Sequence, residues 1–263
     1  MSHYTVAVIT KTNDFDELEE LMAPFSEYLE TEPYIRRTKQ QIIEDAKKHK
    51  ESWAERVENG SEEERNKILH EESYRNIRKL LKAKTDEELY NAERYEDGTY
   101  DEDGNELTTY NPNSKWDWYE IGGRWDGLLR KKGTGRRCNT LQIKDWDISA
   151  DPAEIKGIER FWEIVVEGAE PQDKNEEMAS HLYNKDYYIQ KYETKENYVE
   201  TESVFTTYAV LLQDGTWLAP GEMGWFGASS ESPEESLAWE KGYKDIIDKL
   251  DPEWYVTIVD CHI

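Results

Sequence analysis

The chain has 263 residues, with 33 Lys and Arg against 58 Asp and Glu, a formal charge of −25. Non-specific binding to a phosphate backbone depends on Lys and Arg displacing counterions, so duplex nucleic acid is excluded as a default ligand. The longest apolar runs, Val6-Ala7-Val8-Ile9 and Ala209-Val210-Leu211-Leu212, fall far short of the ~20 residues of a membrane-spanning helix. The N-terminus lacks a basic region before a long apolar stretch, which points to a soluble protein acting in the cytosol. Two cysteines, Cys138 and Cys261, are too few for a disulfide scaffold and have no CxxC spacing, so both are expected reduced. Ten Trp and 17 Tyr supply enough apolar surface for a folded core despite the charge.

In chain order, Tyr4-Thr5-Val6-Ala7-Val8-Ile9 reads as a strand, and the acidic amphipathic stretch 14–30 as a helix. Residues 31–95 carry 15 basic and 15 acidic side chains, with Ile35, Ile42, Ile43, Ala46, Trp53 and Val57 near helical spacing. They predict an inserted helical hairpin. Asn59-Gly60 closes its first arm and a Ser61/Glu64 capping pattern opens the second, with Ile68, Leu69, Ile77, Leu80 and Leu81 as its buried stripe. Thr85 and Glu88 repeat the pattern for a third, short helix. Residues 96–106 hold six acids and no base around Asp97-Gly98 and Asp103-Gly104, an exposed hairpin. No register of these acids matches a calcium-binding loop.

Residues 107–148 are the one net basic stretch, with eight bases against five acids. Residues 125–132 are expected as a second core strand, with 140–144 extending the sheet. Residues 149–203 mix apolar clusters with polar linkers and receive no assignment. Beyond them, 204–212 reads as a strand, Asp214-Gly215 as a turn and 216–218 as its return. Ser232-Pro233-Glu234-Glu235 opens a helix that runs to about Leu250, and 254–260 forms the last strand. The sum is an α+β chain, a ferredoxin-like (split βαβ) sandwich of residues 1–30 and 107–263, interrupted by the helical insertion 31–95 and the acidic hairpin 96–106. First and third strands are expected central and parallel, with the last strand antiparallel beside the first.

That topology brings His3 to Asp260 and His262 at one end of the sheet, with Cys261 nearby. Imidazoles oriented by a carboxylate suit acid–base chemistry, and strand ends are also often simply solvated. A second constellation is the Trp-rich block Lys115, Trp116, Trp118, Tyr119, Gly122, Gly123, Arg124 and Trp125, with a similar block containing Glu222 and Trp225. Indole faces, paired glycines and a guanidinium fork suit a ring-bearing anion. Arg130-Lys131-Lys132 and Arg136-Arg137 place five bases around Gly133-Thr134-Gly135, fitting either a phosphate-contacting loop or a hairpin tip that offsets nearby acids. The same Trp residues also fit a core poor in Leu and Ile. No nucleophile elbow, HExxH, kinase or Rossmann fingerprint occurs, and no cofactor or metal is expected.

The opening Met1-Ser2-His3-Tyr4-Thr5-Val6, the block from Asn111-Pro112 to Trp125, the block Gly221-Glu222-Met223-Gly224-Trp225-Phe226-Gly227 and the ending Val259-Asp260-Cys261-His262-Ile263 occur in this order. Together they resemble a family of uncharacterised proteins encoded mainly by bacteriophages and mobile elements. The resemblance covers a minor part of the chain and implies a viral or mobile-element setting in a host cytoplasm, and no catalytic residue. Three expectations follow, of which the first, a binder rather than an enzyme, is favoured: an anti-defence module that binds a small anionic nucleotide through the Trp/Gly/Arg constellation; an acidic protein-binding inhibitor or DNA mimic; or a phosphodiesterase-type hydrolase using His3, Asp260 and His262.

Overall fold

A computed structural model describes residues 2–224 and 227–263. The chain divides into two compact units, Met1–Leu29 with Asn111–Ile263, and Glu30–Tyr110.

The first unit opens with β1 (His3–Thr10) and α1 (Phe15–Met22). Asp14 caps α1 by accepting from the Asp16 N–H, and Glu17 accepts from the N–H groups of Lys11 and Thr12. The second unit then holds β2 (Tyr34–Arg37), α2 (Lys39–Asn59), α3 (Glu62–His70), α4 (Arg75–Lys82), α5 (Asp86–Glu93), β3 (Thr99–Tyr100) and β4 (Glu106–Thr108). Residues 34–37 are a strand, against the expected helix, because the Thr38/Gln41 capping box starts α2 only at Lys39. The strands order β2-β4-β3, and Glu106, 4% exposed, is held by the Arg37 guanidinium at 2.6 Å. In the acidic turn, Asp101 accepts from the N–H groups of Asp103 and Asn105, so that carboxylate is spent on the turn.

The first unit resumes with β5 (Trp118–Ile121), β6 (Leu129–Arg130), β7 (Arg137–Cys138) and β8 (Thr140–Gln142). Four helices follow, α6 (Pro152–Val165), α7 (Lys174–Leu182), α8 (Lys185–Tyr192) and α9 (Lys195–Glu202), then β9 (Ala209–Leu211), β10 (Trp217–Leu218), α10 (Pro233–Asp248) and β11 (Tyr255–His262). The span 149–203, which composition left unassigned, is thus helical, each helix capped in turn by Asp151, Asp173, Asn184 or Thr194.

The main sheet orders β10-β9-β1-β11-β5, with β8 also on β11. β1 is parallel to β9 and antiparallel to β11. The expected second core strand at 125–132 is corrected: Gly122 and Gly123, at φ +74° and +52°, turn the chain before Trp125, and Leu129–Arg130 pairs with Arg137–Cys138 in a separate ribbon. The strand that joins the sheet lies just upstream, at 118–121, on the outer edge of β11.

Alternation along β1 splits the core. Tyr4, Val6 and Val8 meet Leu18 and Met22 of α1 on one face, while Ala7 and Ile9 meet Tyr243 and Ile247 of α10 on the other. The architecture is therefore a mixed α+β sheet with α1 and α10 on opposite faces. A third cluster, Trp162, Ile164, Tyr192 and Tyr198, joins α6, α8 and α9 and takes Leu237 of α10 against it.

Candidate functional site

The β1–β11 register sets three rungs on the α10 face: Ala7 opposite Ile258, Thr5 opposite Asp260, and His3 opposite His262. The first rung belongs to the hydrophobic core. The next two are polar, and they gather His3, Asp260 and His262 at the sheet end.

Nδ1 of His3 lies 2.8 Å from Oδ1 of Asp260, a carboxylate only 2% exposed. Oδ2 of the same group accepts the Arg124 N–H at 3.0 Å. Nδ1 of His262 lies 2.6 Å from Oδ1 of Asp117, which also accepts the Trp118 N–H at 2.8 Å. An ionised carboxylate can only accept, so each Nδ1 carries its proton and each Nε2 is left as the basic nitrogen. Neither Nε2 has a hydrogen-bond partner among the described residues. The two rings meet edge to face at 4.9 Å, and Trp118, 44% exposed, stacks on His262 at 5.0 Å.

The paired glycines make this geometry possible. A Cβ on Gly123 would stand 2.5 Å from Asp260 Oδ2, and one on Gly122 would stand 2.4 Å from Asn139 Nδ2. Their positive φ values swing the chain so that the Arg124 N–H aims at the carboxylate, leaving the Arg124 side chain exposed. Asp117, which holds the His262 ring, is the residue of this cluster that the sequence did not single out. Its signal was its place beside Trp118, visible only if 118–121 is read as the strand opposite His262.

The remaining Trp/Gly/Arg constellation does not converge. Trp116 and Tyr119 pack on the α1 face, where the Trp116 Nε1–H donates to the Met22 carbonyl at 3.2 Å and the two rings meet edge to face. Trp125 packs on the α10 face, so the sheet separates it from Trp116, and the expected single pocket around both is corrected. Lys115 pairs with Glu222 at 3.1 Å and its N–H donates to the Phe25 carbonyl. Trp225 lies outside the described residues. Cys261 points to the α1 face, where burial pushes its thiol up, so it is no part of the cluster.

The basic loop is a ribbon tip whose charges are largely spent. Arg130 meets Asp147 at 3.1 Å, Asp151 at 3.1 Å and Glu154 at 2.9 Å, and donates to the Ser149 carbonyl. Lys131 pairs with Asp145 and Arg137 with Glu154, while Arg136 is exposed on the turn. Among the described residues no group of three His, Cys, Asp or Glu side chains is placed to hold a metal ion, and no helix is long and apolar enough to cross a membrane. No family model matches the chain, and no curated protein or solved structure matches it either.

Proposed function

We propose that the sheet end is the functional centre, and that it acts on a small anionic, nucleotide-like molecule by phosphodiesterase-type acid–base chemistry. One observation carries the reading: two histidines face each other across β1 and β11, each with Nδ1 on its own aspartate and Nε2 without a partner among the described residues. In hydrolysis one neutral imidazole takes a proton from water as the water oxygen bonds to phosphorus. The other, protonated, gives its Nε2 proton to the departing oxygen as the phosphorus–oxygen bond breaks. Asp260 and Asp117 hold the ring tautomers and stabilise the charged imidazole. Trp118 offers an exposed face for a base, and Arg124 an exposed guanidinium for a phosphate.

The same site supports a second reading, capture without turnover. Its motive is the low side-chain exposure of the two imidazoles, 10% for His3 and 6% for His262. In either form the chain is read as a bacteriophage or mobile-element accessory protein acting on a nucleotide signal in the host cytoplasm, on the strength of the four motif blocks. We read its sheet as a variant of the split βαβ sandwich, from the central β1–β9 pair with β11 beside β1.

Cyclic dinucleotides, linear dinucleotides and ADP-ribose, incubated with the protein and separated by anion-exchange chromatography, test both forms. Turnover lost in His3→Ala and His262→Ala supports hydrolysis. A thermal shift without turnover, lost in Trp118→Ala, supports capture. Neither turnover nor a shift with any of these compounds removes the proposal.

A further inference from the structure

Away from the sheet end, α8, α9 and α10 meet around one phenol that faces two carboxyl groups, an arrangement in which a proton on one of the acids gives every contact its own hydrogen. The Tyr192 hydroxyl, in a residue 2% exposed, lies 2.6 Å from Oε1 of Glu202 on α9 and 3.1 Å from Oε2 of Glu240 on α10. Nζ of the adjacent Lys191, also buried, donates to Glu240 Oε1 at 2.7 Å and to Ser236 Oγ at 3.0 Å. A phenol has one proton and a carboxylate can only accept, so Tyr192 satisfies one of these two acids as a donor. With both acids ionised, that one hydrogen would be shared between two like charges, whereas a proton on the second acid gives its contact a hydrogen of its own.

Glu240 has the Lys191 ammonium beside it and is the natural anion of the pair. Glu202 has no ion-pair partner among the described residues, so the extra proton belongs there. Every contact is then satisfied in one direction: the Glu202 carboxyl donates to the Tyr192 oxygen, Tyr192 donates to Glu240, and Lys191 donates to Glu240.

We infer that this relay is a proton-operated latch that ties the α8–α9 helices to α10 while Glu202 is neutral and loosens them when Glu202 ionises. Ionisation leaves Tyr192 between two anions and sets Glu202 against Glu240. The groups facing Glu202 are Tyr188, Lys191 and Tyr192 on α8, Tyr198 on its own helix and Glu240 on α10. Glu202 also edges a cavity of about 190 Å³ whose other charged groups include Arg130, Arg137 and Glu154. Those two guanidiniums are already bound by Glu154 and its neighbours, so they leave the relay in place, and Glu202, an exposed residue whose carboxyl end meets Tyr192, exchanges its proton with solvent directly. Burial, with Glu240 adding to it, raises the Glu202 carboxyl above its ordinary value, against the opposing effects of Tyr192 and Lys191. The folded form therefore holds the proton more tightly than the unfolded chain. The latch is fully closed below the ordinary carboxylate range and is lost as pH rises through the raised value.

Hydrogen–deuterium exchange of the full chain between pH 4 and 8, corrected for the intrinsic exchange rate, tests this in peptides spanning 185–202, with β1 and β11 peptides as the internal reference. Protection in the wild type is expected to fall by up to about tenfold per pH unit across the Glu202 window. In Glu202→Gln, whose amide donates to Tyr192 at every pH, protection should stay high and flat. Tyr192→Phe, which removes the shared hydroxyl, should give weaker protection than the wild type at pH 4, where the latch is closed. The inference is overturned if the wild type shows no pH dependence, if Glu202→Gln follows the wild-type profile, or if Tyr192→Phe is as protected as the wild type at pH 4.

Discussion

A Cβ built on Gly123 would stand 2.5 Å from Oδ2 of Asp260, so the glycine's bare backbone is what lets the next N–H reach that carboxylate. Gly123→Ala meets both this clash and a φ of +52°. It should cost about 1–3 kcal/mol in urea unfolding, and it should release His3 from its fixed orientation. A cost of only a few tenths would mean that the turn and the carboxylate are not packed as described.

Asp117 holds the His262 ring at 2.6 Å. If His262 works as acid or base, Asp117→Asn should lower turnover of the active nucleotide by about 100-fold or more with the fold retained. Circular dichroism and a steady-state assay on the same preparation check the two halves of that statement. Unchanged turnover would assign the aspartate to holding β5 alone.

Arg130 is a nearly buried cation whose guanidinium ties the β6–β7 ribbon to the start of α6 through Asp147, Asp151 and Glu154. Arg130→Met keeps the aliphatic stem but leaves three acids clustered without their counter-charge. The partners are half-exposed, so water screens part of the loss, and about 1–3 kcal/mol of destabilisation is expected. Chemical unfolding at low and high salt measures it, with the deficit shrinking at high salt as the three acids are screened.

Acid should loosen the same junction. The N–H groups of Glu154 and Ala153 hold Asp151 below its usual range, and the Asp151 N–H with Arg137 does the same for Glu154. For carboxyls depressed in the folded state, stability is present above the unfolded value and falls as pH drops through the folded one. Unfolding midpoints recorded from pH 7 to pH 3 should therefore decline towards acid. The slope should be shallower in Asp151→Asn, whose side chain still caps α6 without titrating.

The first and last strands, α1 and α10 were legible because each carries a local signature: β-branched residues at 4–9 and in the last strand, Ser232-Pro233 before α10. The meeting of His3 with Asp260 and His262 followed from strand order alone, since pairing fixes which residues stand opposite. Two parts were not legible. Residues 125–132 look like a strand by hydrophobicity, and the positive φ values of Gly122, Gly123 and Gly127, a backbone property, break it. The Trp residues were expected around one cavity, yet alternation in β5 sends Tyr119 and Trp118 to opposite faces, and a short-range motif says nothing about which side of a sheet each ring takes. In 149–203, four short helices with modest apolar faces gain their burial from packing on one another and on α10, which no local window contains.

The proposed function rests on the two imidazoles, and a long-range ¹H–¹⁵N spectrum of the histidine side chains reads them directly. The expected result is that in the neutral form of each ring Nδ1 of His3 and of His262 carries the proton and Nε2 is the basic nitrogen. Adding a nucleotide that the protein binds or turns over should shift those two Nε2 signals and leave His49, His70 and His181 in place. Free tautomer exchange at His3 and His262, or a bound nucleotide that moves neither ring, would contradict it.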